Sequence, residues 1–294
     1  MFPSGFYKNK NGELNVQGIK IDALTAKYGT PLFIYDTGLM KERYEVFQNT
    51  VKNVKGNIHY AVKANDSVNI IKFFGKLGAG ADIVSIGEFH KCIAAGITPD
   101  KIIFSGVGKD KNEIEIAIKN KILQFNIESE EELYDIYQVA SKLKITANIC
   151  LRINPDIAPN THKKISTGEK ETKFGINDQD ILSIYEKLHK LKYINPVGLG
   201  VHIGSQIFDF NFFHKAYSNL KTVADKLKKD GFIGRSTQAY KRIYPPIAEA
   251  LENGEEVTIT YNTVAASIPT YVGDRALVSG GSQQEYAGGS NPVF

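Results

Sequence analysis

The sequence predicts an α/β fold, a (β/α)8 TIM-type barrel of which six units are readable, on three observations. Short runs rich in Ile and Val alternate with amphipathic segments, the first five runs start about 20 residues apart, and no glycine-rich dinucleotide loop follows a strand. Apolar runs of this kind suit strands of a parallel sheet buried under crossover helices. An open doubly wound sheet meets the same pattern, but the short units and the missing GxGxxG favour a barrel. In a barrel the C-terminal ends of the strands carry the chemistry.

The six strands are expected at 58–63 (IHYAVK), 81–86 (ADIVSI), 102–106 (IIFSG), 122–127 (ILQFNI), 145–153 (ITANICLRI) and 197–203 (VGLGVHI). Helix starts lie between them. Ser129 with Glu132 has the spacing of a capping box, ahead of Leu133, Ile136, Tyr137, Ala140 and Leu143 on one helical face. Asn177 is placed to cap a segment whose apolar face is Ile181, Ile184, Tyr185, Leu188 and Leu191. Residues 155–175 form a polar insertion after the fifth strand, of a length uncommon for loops without a function.

Composition shifts at residue 233. Before it the chain has 30 lysines and two arginines; from it on, one lysine and three arginines, with Ala, Gly, Thr and Ser replacing the earlier Ile, Lys and Asn. Three regions are expected, an N-terminal segment 1–36, a partial barrel 37–232 and an unassigned tail 233–294, and composition marks only the second boundary. The tail reads either as a separately used module or as sequence of another origin joined after residue 232. It holds strand-like runs at 257–261 (VTITY) and 276–279 (ALVS), and Gly280-Gly281-Ser282 could cradle a phosphate on backbone N–H groups.

Several function classes are disfavoured. The 294 residues are 42% hydrophobic and 23% charged, as in ordinary soluble proteins, and no run approaches the roughly 18 apolar residues of a membrane helix. The first 16 residues have no apolar core behind their charges, so no secretory leader is read. Cys92 and Cys150 lie too far apart for a disulfide framework or thiolate metal site and suit a reducing cytosol. The histidines His59, His90, His162 and His202 make no HExxH pair, so no metal is expected. A net charge of +4 without a basic block gives nucleic-acid binding little support. Gly106-Val107-Gly108-Lys109-Asp110 lacks P-loop spacing, and Gly75, Gly78 and Gly80 follow a helix rather than a strand.

Lys63 ends the first run, and alternation places it with His59 and Ala61, opposite Ile58, Tyr60 and Val62. A lysine at the C-terminal end of a barrel strand stands where catalytic groups are found, and partial desolvation would favour the neutral amine that condenses with a carbonyl. With 31 lysines in the chain, such a residue taken alone reads as a solvated group. His202 ends the sixth run, where it could stack on a flat ring or serve as a satisfied core histidine; Gly204 beside it would allow close backbone approach. Asp82 and Glu88 flank the second strand end, suited to acid–base work or to helix capping. Arg152 lies late in an apolar run, where a buried guanidinium needs an anionic or polar partner.

YAVKAN, ADIVSIGE, FSGVGK, NIES, LRINPD, THKKISTG, KFGI and VHIGSQ occur in that order over about 210 residues. As an ordered set they resemble the fold-type III pyridoxal-phosphate-dependent decarboxylases, whose barrel is of the alanine racemase-like type, and among them the diaminopimelate decarboxylase family. The resemblance implies pyridoxal 5'-phosphate as cofactor, held on Lys63 as a Schiff base, with His202 against its ring. It further implies Ser205 near the phosphate and Asp82, Glu88 and Arg152 around the ring. It implies that residues 31–36 (PLFIYD) lie against a separate β domain and that the complete enzyme is a homodimer. The implied reaction is decarboxylation of an amino acid, meso-diaminopimelate, to lysine in a cytoplasmic enzyme of lysine biosynthesis. Past Phe232 the family's glycine run, its EPGR motif and its later cysteine are not readable. A cofactor-binding fragment without turnover, and another fold-type III basic amino-acid decarboxylase or racemase, stay open as alternatives.

Overall fold

The structure, a computed structural model, describes residues 5–52, 56–154, 175–188, 190–204, 207, 209 and 211–229. The expected insertion from 155 to 174, Ser205, and the tail with its VTITY, ALVS and Gly280-Gly281-Ser282 runs lie outside the described residues.

The chain opens on a small antiparallel sheet of β1 (Phe6–Lys8), β2 (Leu14–Val16) and β3 (Ile19–Lys20), which was not anticipated from the sequence. Its first turn is made by Asn9, whose side-chain oxygen accepts from the N–H groups of Asn11 and Glu13, both at 3.0 Å. The Asn11-Gly12 pair that follows was the overlooked signal. Helix α1 (Ile21–Tyr28) buries no residue. Helix α2 (Thr37–Val51) is capped by Asp36, which accepts from the Leu39 N–H at 3.0 Å and from the Gln17 amide at 2.8 Å, fastening the small sheet to the helix.

Six parallel strands then follow in sequence order: β4 (His59–Ala61), β5 (Gly80–Ile83), β6 (Ile102–Phe104), β7 (Gln124–Ile127), β8 (Ala147–Asn154) and, after a short β9 (Ile176–Asn177), β10 (Ile194–Val201). Between and after them run α3 (Val68–Lys76), α4 (Ile86–Ala95), α5 (Lys111–Lys119), α6 (Glu130–Leu143), α7 (Asp178–Leu188) and α8 (Asn211–Lys229). Every expected strand is present, and the first three and the sixth stop earlier than the apolar runs suggested. The backbone after β4 tightens into a 3-10 turn at Val62–Ala64, and after β5 Ser85 turns to cap α4. Strand β9 pairs with Ile153 and Asn154 of β8, past Leu151, the last β8 residue paired with β7. Among the described residues β4 and β10 are the outer strands, and the barrel does not close.

Strand alternation sorts the sheet into two chemistries. Toward the helices point Tyr60, Ala81, Ile83, Ile102, Phe104, Phe125, Ile149 and Leu151, all in one buried apolar cluster with the helix faces. Tyr60 stacks on Phe74 of α3 at 4.4 Å, and Phe104 on Phe125 at 6.1 Å between ring centroids. The other face carries His59, Asp82, Gln124, Asn126, Arg152 and Asn154, polar and buried. Gly80 lets these layers approach, because a Cβ there would collide with the His59 ring and the Lys101 carbonyl.

The expected apolar face of α6 is buried at Leu133, Ile136 and Ala140, and that of α7 at Ile181, Ile184, Tyr185 and Leu188, directly after Asn177. The capping box at Ser129 is only half made. Ser129 accepts from the Glu132 N–H at 3.2 Å, but the Glu132 carboxylate reaches past the cap to the Glu128 N–H at 2.8 Å. The reciprocal box stands at α5, between Asp110 and Glu113. No helix among the described residues is long and apolar enough to cross a membrane.

Because Phe104 is fully buried between α-helical and strand side chains, Phe104→Ala should lower unfolding free energy by about 3–5 kcal/mol in urea titration. Phe33→Ala, at a side chain 70% exposed, should stay within about 0.5 kcal/mol of the parent.

Candidate active site

Five of the six residues singled out from the sequence come together at the C-terminal ends of β4, β5, β8 and β10, in the last residues of the strands or just after them; the sixth, Ser205, lies outside the described residues. Lys63 is not on its strand but in the 3-10 turn that follows, and its side chain is exposed. The expectation that it is desolvated is therefore not met. The turn swings the lysine off the packed strand into the open mouth, and its charge acts on Asp82, Glu88 and His202 together.

Asp82, third in β5, is 5% exposed, and burial pushes its carboxyl up to about 6 against the pull of the Ser105 hydroxyl and the Lys63 charge. Ser105 Oγ donates to Asp82 Oδ1 at 2.5 Å. Glu88 is the third residue of α4, where its carboxylate accepts from the Val84 N–H at 2.7 Å. Burial raises its affinity for a proton, and this hydrogen bond opposes the rise. Glu88 thus serves the helix start, and the Lys63 charge reaches its carboxyl.

Arg152 has the partner its burial requires. Its Nη1 donates to Glu128 Oε1 at 2.8 Å, with side chains 10% and 2% exposed. The other Glu128 oxygen accepts from the Gly175 N–H at 3.1 Å. Gly175 has φ +78°, and a Cβ on it would lie 3.0 Å from the Asn154 nitrogen and 3.3 Å from the Arg152 carbonyl, so no other residue fits without strain. His202 follows β10 directly and is partly buried. Desolvation, with the Arg152 and Lys63 charges behind it, holds the imidazole well below its ordinary range and so neutral at pH 7.

Three residues of the network behind this site escaped the sequence reading. Lys109 is fully buried, with Nζ donating to the Gly106 carbonyl at 2.5 Å, the Asn126 carbonyl at 3.0 Å and Glu132 Oε1 at 2.5 Å. Glu128 and Glu132 complete this network. Their signals lay in FSGVGK and NIES, where GVGK was weighed only as a phosphate loop.

The family described as pyridoxal-dependent decarboxylase, pyridoxal binding domain, matches residues 37–236, more than half of the chain. The chain belongs to the pyridoxal-dependent decarboxylase family. Diaminopimelate decarboxylase of Aquifex aeolicus is 39% identical over 227 residues, covering 77% of this chain and 54% of that protein. The Zymomonas mobilis enzyme is 43% identical over 225 residues, covering 76% and 53%. Among solved structures, diaminopimelate decarboxylase of Helicobacter pylori complexed with L-lysine superposes with a TM-score of 0.70 at 39% identity, over 72% of this chain and 54% of the other. The m. jannaschii enzyme with L-lysine gives 0.72 at 33% identity, over 78% and 54%. The chain thus spans about half the length of the relatives it matches. The alanine racemase-like barrel expected from the motifs is the fold of this decarboxylase family, and its matched part starts at Thr37, the first residue of α2.

Asp82 and His202 pull stability in opposite directions with pH. The neutral form of Asp82 is favoured by folding, so its contribution is full below pH 3.8 and lost as pH rises through about 6. His202 contributes above its ordinary 6.5, and that contribution falls away as acid protonates it. Asp82→Asn should therefore stabilise the chain at pH 8 by up to about 3 kcal/mol relative to its effect at pH 4, read from urea midpoints at both pH values. His202→Gln should flatten the loss of stability on going from pH 7 to pH 5.

Proposed function

We propose that this chain is the cofactor-binding part of a diaminopimelate decarboxylase, a carboxy-lyase that converts meso-diaminopimelate to lysine. The observation that carries this reading is the convergence of an exposed primary amine, a neutral imidazole, two buried carboxyls and a paired guanidinium at one mouth of a family barrel. The donor set fits pyridoxal phosphate. An aldehyde condenses with an accessible amine, which Lys63 offers, and an aromatic ring rests best against an uncharged flat face, which His202 offers.

Lys63 would hold the cofactor and His202 would lie against it, with Ser205 assigned to its phosphate. Bound there, the cofactor supplies an electron sink for the pair left behind when a carboxylate departs as carbon dioxide, before the carbon takes up a proton. The chain's own residues set the conditions. Asp82 and Glu88 put negative charge beside the amine, and burial keeps His202 unprotonated with help from the positive charge of Arg152, which the Glu128 carboxylate pins. Substrate is a small amino acid. The exposed Tyr28, Phe33 and Tyr35 support a β domain packing on residues 1–36. We further assign the complete enzyme to the cytoplasm, where Cys92 and Cys150, both free and buried, stay reduced, and to a homodimer.

Pyridoxal phosphate added to the purified chain should give a covalent adduct that borohydride fixes and mass spectrometry maps to Lys63. Lys63→Met should take up none; an adduct on another lysine of folded protein would refute the assignment. The share of its relatives that the chain spans favours a second reading, cofactor binding without turnover. On that reading carbon dioxide release from meso-diaminopimelate by the 294-residue chain is feeble or undetectable; robust release would exclude it.

A further inference from the structure

The polar face of the sheet holds a row of side chains that the proposed chemistry does not use. Gln124 Nε2 donates to Asn126 Oδ1 at 2.9 Å, Asn126 Nδ2 donates to Ser105 Oγ at 2.9 Å, and Ser105 Oγ donates to Asp82 Oδ1 at 2.5 Å. Gln124 and Asn126 are 2% and 1% exposed. The row crosses β7, the end of β6 and β5, three adjacent parallel strands.

The donor inventory of these groups gives the row a single direction. A carboxylate only accepts, so Ser105 must spend its one proton on Asp82. Its oxygen then receives from Asn126, which must present its NH2 group. The Asn126 side-chain oxygen Oδ1 in turn faces Gln124, which must also present NH2. Reversing any member would set two acceptors or two donors against each other in a buried site. The backbone of the row is itself held, since the Asn126 carbonyl accepts from the buried Lys109 ammonium.

We propose that Gln124, Asn126 and Ser105 form a one-way hydrogen-bond relay that holds Asp82 as a carboxylate facing Lys63, which makes Ser105 a positioning residue of the cofactor site. The inference rests on the cofactor reading above and deepens it. Burial acts against this carboxylate, and the charged groups that face it are divided: Lys63 and Lys109 favour its ionised form, Glu88 opposes it. With Asp82 poised at about 6, one hydrogen bond to the charged form decides whether it is ionised near neutral pH. The ionised carboxylate draws the exposed Lys63 side chain to the mouth of the barrel, where an aldehyde would meet it.

The relay is tested first without cofactor. In protein labelled with carbon-13 at the aspartate carboxyls, the Asp82 resonance is assigned by its loss in Asp82→Asn and titrated by NMR. Ser105→Ala should move its midpoint up by about one unit, the scale of one hydrogen bond to a charged group. Ser105→Thr, which keeps the hydroxyl, should restore it, and Asn126→Leu should move it up by less than Ser105→Ala. An unchanged midpoint in Ser105→Ala overturns the proposal. So does a wild-type midpoint in Asn126→Leu, since the row would then end at Ser105.

The second readout is the yield of borohydride-fixed pyridoxal phosphate adduct. For Ser105→Ala the yield at pH 6.5 relative to pH 8 should fall about threefold below wild type, the drop in ionised Asp82 that a one-unit shift produces. An identical pH profile in the two proteins would refute the positioning role. Absence of any adduct on wild-type Lys63 would instead sink the cofactor reading, while the carboxyl titration still decides the relay by itself.

Discussion

The Lys109 ammonium is the tie on which the mouth of this barrel depends. It is wholly buried and has three acceptors, one in the loop after β6, one at the end of β7 and one on α6. A buried ammonium left without such partners would be too costly to keep, so the three elements can depart from it only together. Burial pushes the Glu132 carboxyl toward its protonated form and the lysine opposes this, which makes each partner the condition for the other. Glu132 then accepts from the Glu128 N–H, and Glu128 holds Arg152 and Gly175. A chain of charge-assisted contacts therefore runs from the third strand of the barrel to the fifth. Each link is stronger and more directional than a neutral hydrogen bond.

That chain sits on one face of a sheet whose other face is predominantly apolar packing. The helix-facing side chains supply the driving force for folding through burial of apolar area, and this force has no preferred direction. The polar side supplies little net stability, since charges taken from water recover only what their partners return. What it contributes is position. Paired and fully hydrogen-bonded groups fix the strand ends relative to one another, and a site assembled from four strands needs that more than added stability.

The electrostatics of the mouth follow from this division of labour. Two carboxyls and an imidazole lie within reach of two cationic side chains, and each of these three groups is shifted by burial and by its charged neighbours. Asp82 is pushed toward protonation and His202 away from it, which leaves an uncharged ring and a poised acid within reach of an exposed amine. Groups whose environments drive them apart in this way are a recurring mark of sites that move protons at neutral pH.

Much of this was legible in the residues. The Ile- and Val-rich runs placed all six barrel strands, because parallel strands under helices must be apolar over their length, and the ordered motifs from YAVKAN to VHIGSQ pointed to the family. Arg152 was rightly read as needing a partner. Local sequence could not name that partner, for Glu128 lies 24 residues away and meets Arg152 only because β7 and β8 pair in register. Lys109, one of 31 lysines, carried no mark of burial, and Gly175 none of its contact with Glu128. The exposure of Lys63 came from a backbone turn that apolar periodicity does not record. Periodicity thus determined which faces turn inward, since it is a property of the chain alone. Which charges meet there was decided by strand order and register, since both bring together residues that the chain keeps far apart.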